Sequence, residues 1–218
     1  MITEMRWATE QRPDSVLYHV KMTNRKLMTS RKIRLFGCGC YRLIWDQIRL
    51  PSIHRLVELA EARADRKVKQ EELRKYRYAE GAPPRDSPDY LLRLYISSLL
   101  GPKVVPGYIA WLTRTAVNAA EFQNNSRWKE CPEQADLVRC VFGNPFRPVT
   151  FLPDWRTDTA VSLARQMYDS RDFGAMPILA DALQDAGCDN DDVLNHCRDA
   201  NQTHVRGCWV VDLVLGKT

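Results

Sequence analysis

RKIRLFGCGCYRLIWDQIR, residues 31–49, decides the fold. Leu35, Phe36, Tyr41, Leu43, Ile44, Trp45 and Ile48 fall at helical spacing and form an apolar stripe with basic edges, the pattern of a helix buried on one face. Ser30 precedes the stretch and suits a helix start. Gly37 and Gly39 each weaken such a helix by about 1 kcal/mol relative to alanine, unless they let a neighbouring helix pack closely.

Working outward, Pro51-Ser52 punctuates the chain, and Ile53, Leu56, Val57 and Ala60 predict a second helix to Ala64. Gln70 to Tyr78 reads as a charged helix. Upstream, Pro13-Asp14-Ser15 is placed to start a helix carrying Val16, Leu17 and Val20, while Trp7 opens a broken pattern. The stretch from Glu80 through Pro83-Pro84 to Pro88 is the clearest linker. Beyond it, helices are expected over Asp89–Leu100, Tyr108–Phe122 and Pro132–Phe142. After an extended Gly143–Pro148 segment, four short helices follow over Thr157–Tyr168, Pro177–Ala186, Asp191–Arg198 and Arg206–Leu215. No alternating strand pattern runs longer than Pro148–Leu152. The expected architecture is an all-α, multi-helix bundle in four parts. A basic N-terminal helical part (1–80) is followed by a Pro-rich linker (81–88), central helices (89–142) and a Cys/His-containing C-terminal module of short helices (143–218).

The chain has 218 residues, 44% of them hydrophobic and 27% charged, so it can bury a sizeable core, and collagen-like, low-complexity and disordered classes are excluded. It shows no signal-peptide h-region and no apolar run of the ~18 residues a membrane span needs. A cytoplasmic protein without a membrane partner is therefore expected. Seven cysteines, an odd number, point to reduced thiols. The net charge of +5 hides a gradient: residues 1–80 carry +8, 81–150 carry +2, and 151–218 carry −5. The basic and acidic ends could complement each other, or the basic end could meet an acidic partner.

Cys188, His196, Cys197, His204 and Cys208 put five soft ligands within 21 residues. Zinc takes thiolate and imidazole in a tetrahedron, and His204 and Cys208 stand one helical turn apart. The candidate set is Cys188, His196, His204 and Cys208, with zinc as the cofactor. No paired CxxC accompanies it, and packing of cysteines as small hydrophobes stays open. His204, Cys208 and Asp212 recur every four residues and suggest an alternative, a cysteine-dependent hydrolase or transferase with nucleophile, base and orienting carboxylate. Aspartates 181, 185, 189, 191 and 192 lack the order of a calcium loop and read as helix capping. Lys21, Arg25, Lys26, Arg31, Lys32 and Arg34 place six cations in fourteen residues without an acid. Such a face could contact nucleic acid, although no recognition module accompanies it.

Two segments together resemble a known family. Residues 31–45 resemble the K-LRLFACACCRRIW helix of a bacterial family abundant in planctomycete-type genomes. The run from Phe142-Gly-Asn-Pro-Phe-Arg-Pro148 through Met176–Leu183, Ala186-Gly-Cys188, His196-Cys-Arg198 and His204–Gly216 resembles its C-terminal signature, GNPFRP…PILADAL…AGC…HCR…HVRGCWVVDLxLGK. The likeness covers roughly the first and last 80 residues. Gly37, Gly39 and Tyr41 stand where that family shows Ala, Ala and Cys, which argues against a metal role for the N-terminal cysteines. The resemblance marks the tail as a signature and assigns no chemistry to it. The leading expectation is a non-enzymatic binding or adaptor module, zinc-stabilised in one version, whose partner is another protein. Its contact candidates are the basic face and the Asn144, Phe146 and Arg147 loop.

Overall fold

The computed structural model describes residues 3–77, 88–101 and 131–217, and these are all helix, turn and loop with no strand. The 81–88 linker, apart from Pro88, and the helix expected over Tyr108–Phe122 lie outside the described residues. Eleven helices follow one another among the described residues: α1 (Glu4–Thr9), α2 (Pro13–Thr23), α3 (Ser30–Leu43), α4 (Pro51–Ala64), α5 (Gln70–Arg77), α6 (Pro88–Leu99), α7 (Pro132–Phe142), α8 (Asp158–Ser170), α9 (Met176–Asp185), α10 (Asp191–Arg198) and α11 (Trp209–Val214). None is long and apolar enough to cross a membrane.

Local chemistry sets most of these ends. Thr29, Thr157 and Asn190 cap α3, α8 and α10 by accepting from the backbone N–H of Lys32, Ala160 and Val193. Pro13, Pro51 and Pro132 sit in the first turns of α2, α4 and α7, where the missing N–H costs nothing. Helix α3 stops at Leu43, six residues before the expected end. A 3-10 turn at Trp45–Gln47 then brings the Trp45 ring onto His54 (4.0 Å between centroids) and beneath the Arg42 guanidinium (3.7 Å). The broken pattern around Trp7 conceals a short helix, α1. Its Trp7 is buried, and its first turn is capped by the Thr3 hydroxyl.

The apolar residues gather into two cores. The first takes Val16, Phe36, Tyr41, Ile53, Val57 and Ile96 from α2, α3, α4 and α6, together with Leu137, Val138, Val141 and Phe142 of α7. The second takes Ala164, Met167, Leu179, Leu183, Val193, Val210 and Val214 of the C-terminal helices, together with Cys140. Helix α7 belongs to both. Five of its side chains face the N-terminal bundle, and Cys140 points the other way into the C-terminal module. The C-terminal module thus packs against the N-terminal bundle through a shared helix.

Close approach at this seam depends on two glycines. A Cβ on Gly39 of α3 would stand 3.4 Å from the side chains of Leu137 and Val205, so its small size fits the helix against α7 and the tail loop. Gly207 has φ +92, and a Cβ there would come within 2.9 Å of Leu35. Gly207→Ala is therefore expected to cost about 1–3 kcal/mol, from left-handed strain and the clash together. Urea unfolding of the two proteins measures it, and a loss below half a kcal/mol would contradict this packing.

Charge closes the rest of the seam. Arg31 Nη2 donates to Asp212 Oδ1 (2.9 Å) and to Tyr168 Oη (2.9 Å), and the Tyr168 hydroxyl donates to Asp65 (2.6 Å), which Lys217 also approaches at 3.3 Å. A few residues away the buried Glu61 carboxylate receives Arg42, Arg171 and Arg206. Among the described residues, only the Arg31–Asp212 pair follows the chain's charge gradient. At the other pairs that cross the seam the acid is N-terminal and the cation C-terminal, because pairing is decided by local neighbours rather than by the net charge of each end.

Candidate metal centre

Four side chains from three segments converge where α7 meets the C-terminal module. Cys140 comes from the last turn of α7, His196 from α10, His204 from the loop after α10, and Cys208 from the residue that precedes α11. One ligand atom of each lies within 4.8 Å of every other. His196 Nε2 is 3.3 Å from Cys208 Sγ, while His204 Nδ1 is 3.8 Å from Cys208 Sγ and 4.0 Å from Cys140 Sγ. The two imidazoles meet edge to face at 4.9 Å, and Trp209 packs against His196 at 5.3 Å. Both sulfurs are buried and both histidines are half-buried.

The local structure explains each placement. Gly207 lets the chain turn against Leu35, so α11 begins at Trp209 rather than at Arg206, and His204 stays off the helix. It reaches Cys208 from a loop. On α10, His196 and Cys197 are neighbours rotated about 100° apart; Cys197 enters the core while His196 turns toward Cys208.

Electrostatics favour a thiolate here. Burial acts against the Cys208 anion, but the S–H of Cys140 and the two imidazoles stabilise it and hold its pKa well below the ordinary thiol value. Burial and the adjacent Cys208 push Cys140 well above. Two sulfurs and two nitrogens at these spacings match zinc closely. A tetrahedron with Zn–S ≈ 2.3 Å and Zn–N ≈ 2.0 Å has edges of about 3.3–3.8 Å, which the ligand atoms, all within 4.8 Å of one another, reach by moving about 1.5 Å or less. Such a metal takes His204 through Nδ1, which leaves the proton on Nε2. That atom is buried with no hydrogen-bond partner, and His204 borders a cavity of about 100 Å³ shared with Phe173 and Arg206. A single water fits there as the outer partner that a metal-bound histidine requires.

Three of the four expected ligands are thus brought together, and the fourth is different. Cys188 lies outside the cluster, buried in the turn between α9 and α10, where its N–H is held by the Leu183 carbonyl. Cys140 occupies the place that spacing alone assigned to Cys188. Of the alternative cysteine-enzyme set, Cys208 and His204 are brought together but Asp212 does not join them. Asp212 is gripped by Arg31 rather than by His204, and Cys208 is fully buried, whereas a working nucleophile needs a partly exposed thiolate.

The six cations expected to form one basic face are divided. Lys21, Arg25 and Lys26 are exposed. Arg31 turns to Asp212 and Lys32 to the Val141 carbonyl. Arg34 is buried, its guanidinium donating to the carbonyls of Leu99 and Gly101. In the following loop Asn144 accepts from the Phe146 N–H and donates to Glu4, Phe146 packs on the first core, and Arg147 is exposed beside Glu4 and Asp192. No family model, curated protein or solved structure matches the chain.

Proposed function

We propose that the protein is a non-enzymatic binding or adaptor module whose C-terminal helices are locked to its N-terminal bundle by one structural zinc ion held by Cys140, His196, His204 and Cys208. The observation that supports this most is the convergence of two sulfurs and two imidazole nitrogens within 4.8 Å from segments as far apart as residues 140 and 208. Four protein ligands complete a tetrahedron and leave no open position for water or substrate, which is the arrangement of structural rather than catalytic zinc. The burial of both sulfurs supports the same choice. What the module presents to a protein partner is then its helical surface, with the metal setting the shape.

Elemental analysis of the untagged protein, purified without chelator, is expected to return one zinc per chain. Treatment with a strong chelator is expected to lower the melting temperature, and added zinc to restore it. Protein that carries no metal, takes none up, and melts identically with and without chelator would overturn the reading.

A further inference from the structure

Beside the metal cluster, and sharing none of its ligands, lies a cavity of about 290 Å³. This is near the lower end of the ~300–1,000 Å³ typical of small-molecule sites. Its walls come from the turn between α2 and α3, the end of α7 with the loop that follows, and α11. The lining is predominantly apolar, formed by Leu27, Phe142, Val149, Trp209 and Leu213.

The charges on this lining are not all committed. Its two acids are both taken, Asp212 by Arg31 and Asp192 by Arg147. Among the described residues, Lys26 and Lys32 have no carboxylate within ion-pair distance. Lys32 is the deeper of the two. Its Nζ donates to the Val141 carbonyl at 2.9 Å, and an ammonium carries two further donors. An apolar chamber with an under-neutralised ammonium in its wall suits a molecule with a greasy body and one negative head.

We propose that this cavity binds a small amphipathic anion, an apolar chain or ring bearing a single carboxylate, with its head on Lys32 and its body against Phe142, Trp209 and Leu213. Burial lowers the pKa of the Lys32 ammonium, and the charges of Asp212 and of the nearby Cys208 and Cys140 sulfurs offset this only in part. An anionic head would supply the missing compensation. Three of the cavity's basic residues, Lys26, Lys32 and Arg147, stand among the residues that the sequence marks as contact candidates. The proposal does not depend on the zinc reading, because loss of metal and loss of anion binding are read separately.

The test uses the full chain with 8-anilinonaphthalene-1-sulfonate as the fluorescent probe. One saturable site is expected, displaced by decanoate and not by 1-decanol at the same concentration. Lys32→Gln, which removes the charge and keeps a donor, is expected to weaken the probe and decanoate about tenfold or more, the loss of one charge-assisted contact, with the melting temperature near that of the parent. Val149→Trp, which fills the chamber, is expected to abolish binding and tests the site even where Lys32→Gln fails to fold. The proposal is overturned by the absence of saturable binding, by equal displacement with decanol, or by parental affinity in either folded variant.

Discussion

Cys140→Ser is expected to strip the protein of its metal and lower its melting temperature by roughly 10–20 °C. Losing a metal ligand belongs to the short list of changes that exceed the ordinary 0.5–3 kcal/mol of point substitutions. A loss of ~4–5 kcal/mol corresponds to that interval for a chain of this length, at about 2–4 °C per kcal/mol. The effect exceeds that of trading a thiol for a hydroxyl, because Cys140 ties α7 to His196, His204 and Cys208. The comparison that isolates the metal is Cys188→Ser. Cys188 is also buried yet stands outside the cluster, so its replacement should keep one zinc per chain and lower the melt by only a few degrees. Retention of full metal by the Cys140 variant, or its loss from the Cys188 variant, would exclude the assigned ligand set.

Glu61→Ala is expected to cost about 3 kcal/mol, read as a lower urea midpoint at unchanged slope. An exposed ion pair contributes 0–1 kcal/mol, but Glu61 is only 2% exposed and serves three cations at once. Arg42 holds both of its oxygens at 3.0 and 3.2 Å, Arg171 reaches Oε2 twice at 2.9 and 2.6 Å, and Arg206 approaches at 3.6 Å. Removing the carboxylate leaves three guanidiniums facing one another with no acid between them. Breaking a buried pair from one side typically costs 3–5 kcal/mol. The lower end applies here because Arg42 and Arg171 keep side-chain exposures of 21% and 35% and can turn to water. A loss below 1 kcal/mol would mean that Glu61 does not organise the seam.

The helices were legible in the sequence where the signals were local. Pro132 with the following apolar spacing, and the aspartates ahead of Val193, predict α7 and α10 with the bounds observed, although the cap of α10 is Asn190 rather than an aspartate. Prediction faltered where a distant contact decides the outcome. Helix α3 ends early because Trp45 finds His54 and Arg42, and α11 starts late because Gly207 must fit against Leu35. The site divides the same way. His196, His204 and Cys208 lie within thirteen residues and announce themselves by density, but Cys140 is sixty-four residues from His204 and obeys no spacing rule. The basic run misled in an instructive way. A charge count cannot tell Lys21, left in solvent, from Arg34, which closes two backbone carbonyls inside the bundle.

The pairing of Arg31 with Asp212 joins residues 181 positions apart, and this has a bearing on how the protein is made. A ribosome adding roughly 5–20 residues per second delivers the first helices about 10–40 s before the aspartate that neutralises Arg31. Glu61 likewise precedes Arg171 by 110 positions and Arg206 by 145, and the first core lacks Leu137 and Phe142 until α7 emerges. The N-terminal bundle therefore meets its charge partners only when the segment carrying Arg171, Arg206 and Asp212 follows it, and that same segment brings both histidines to Cys140.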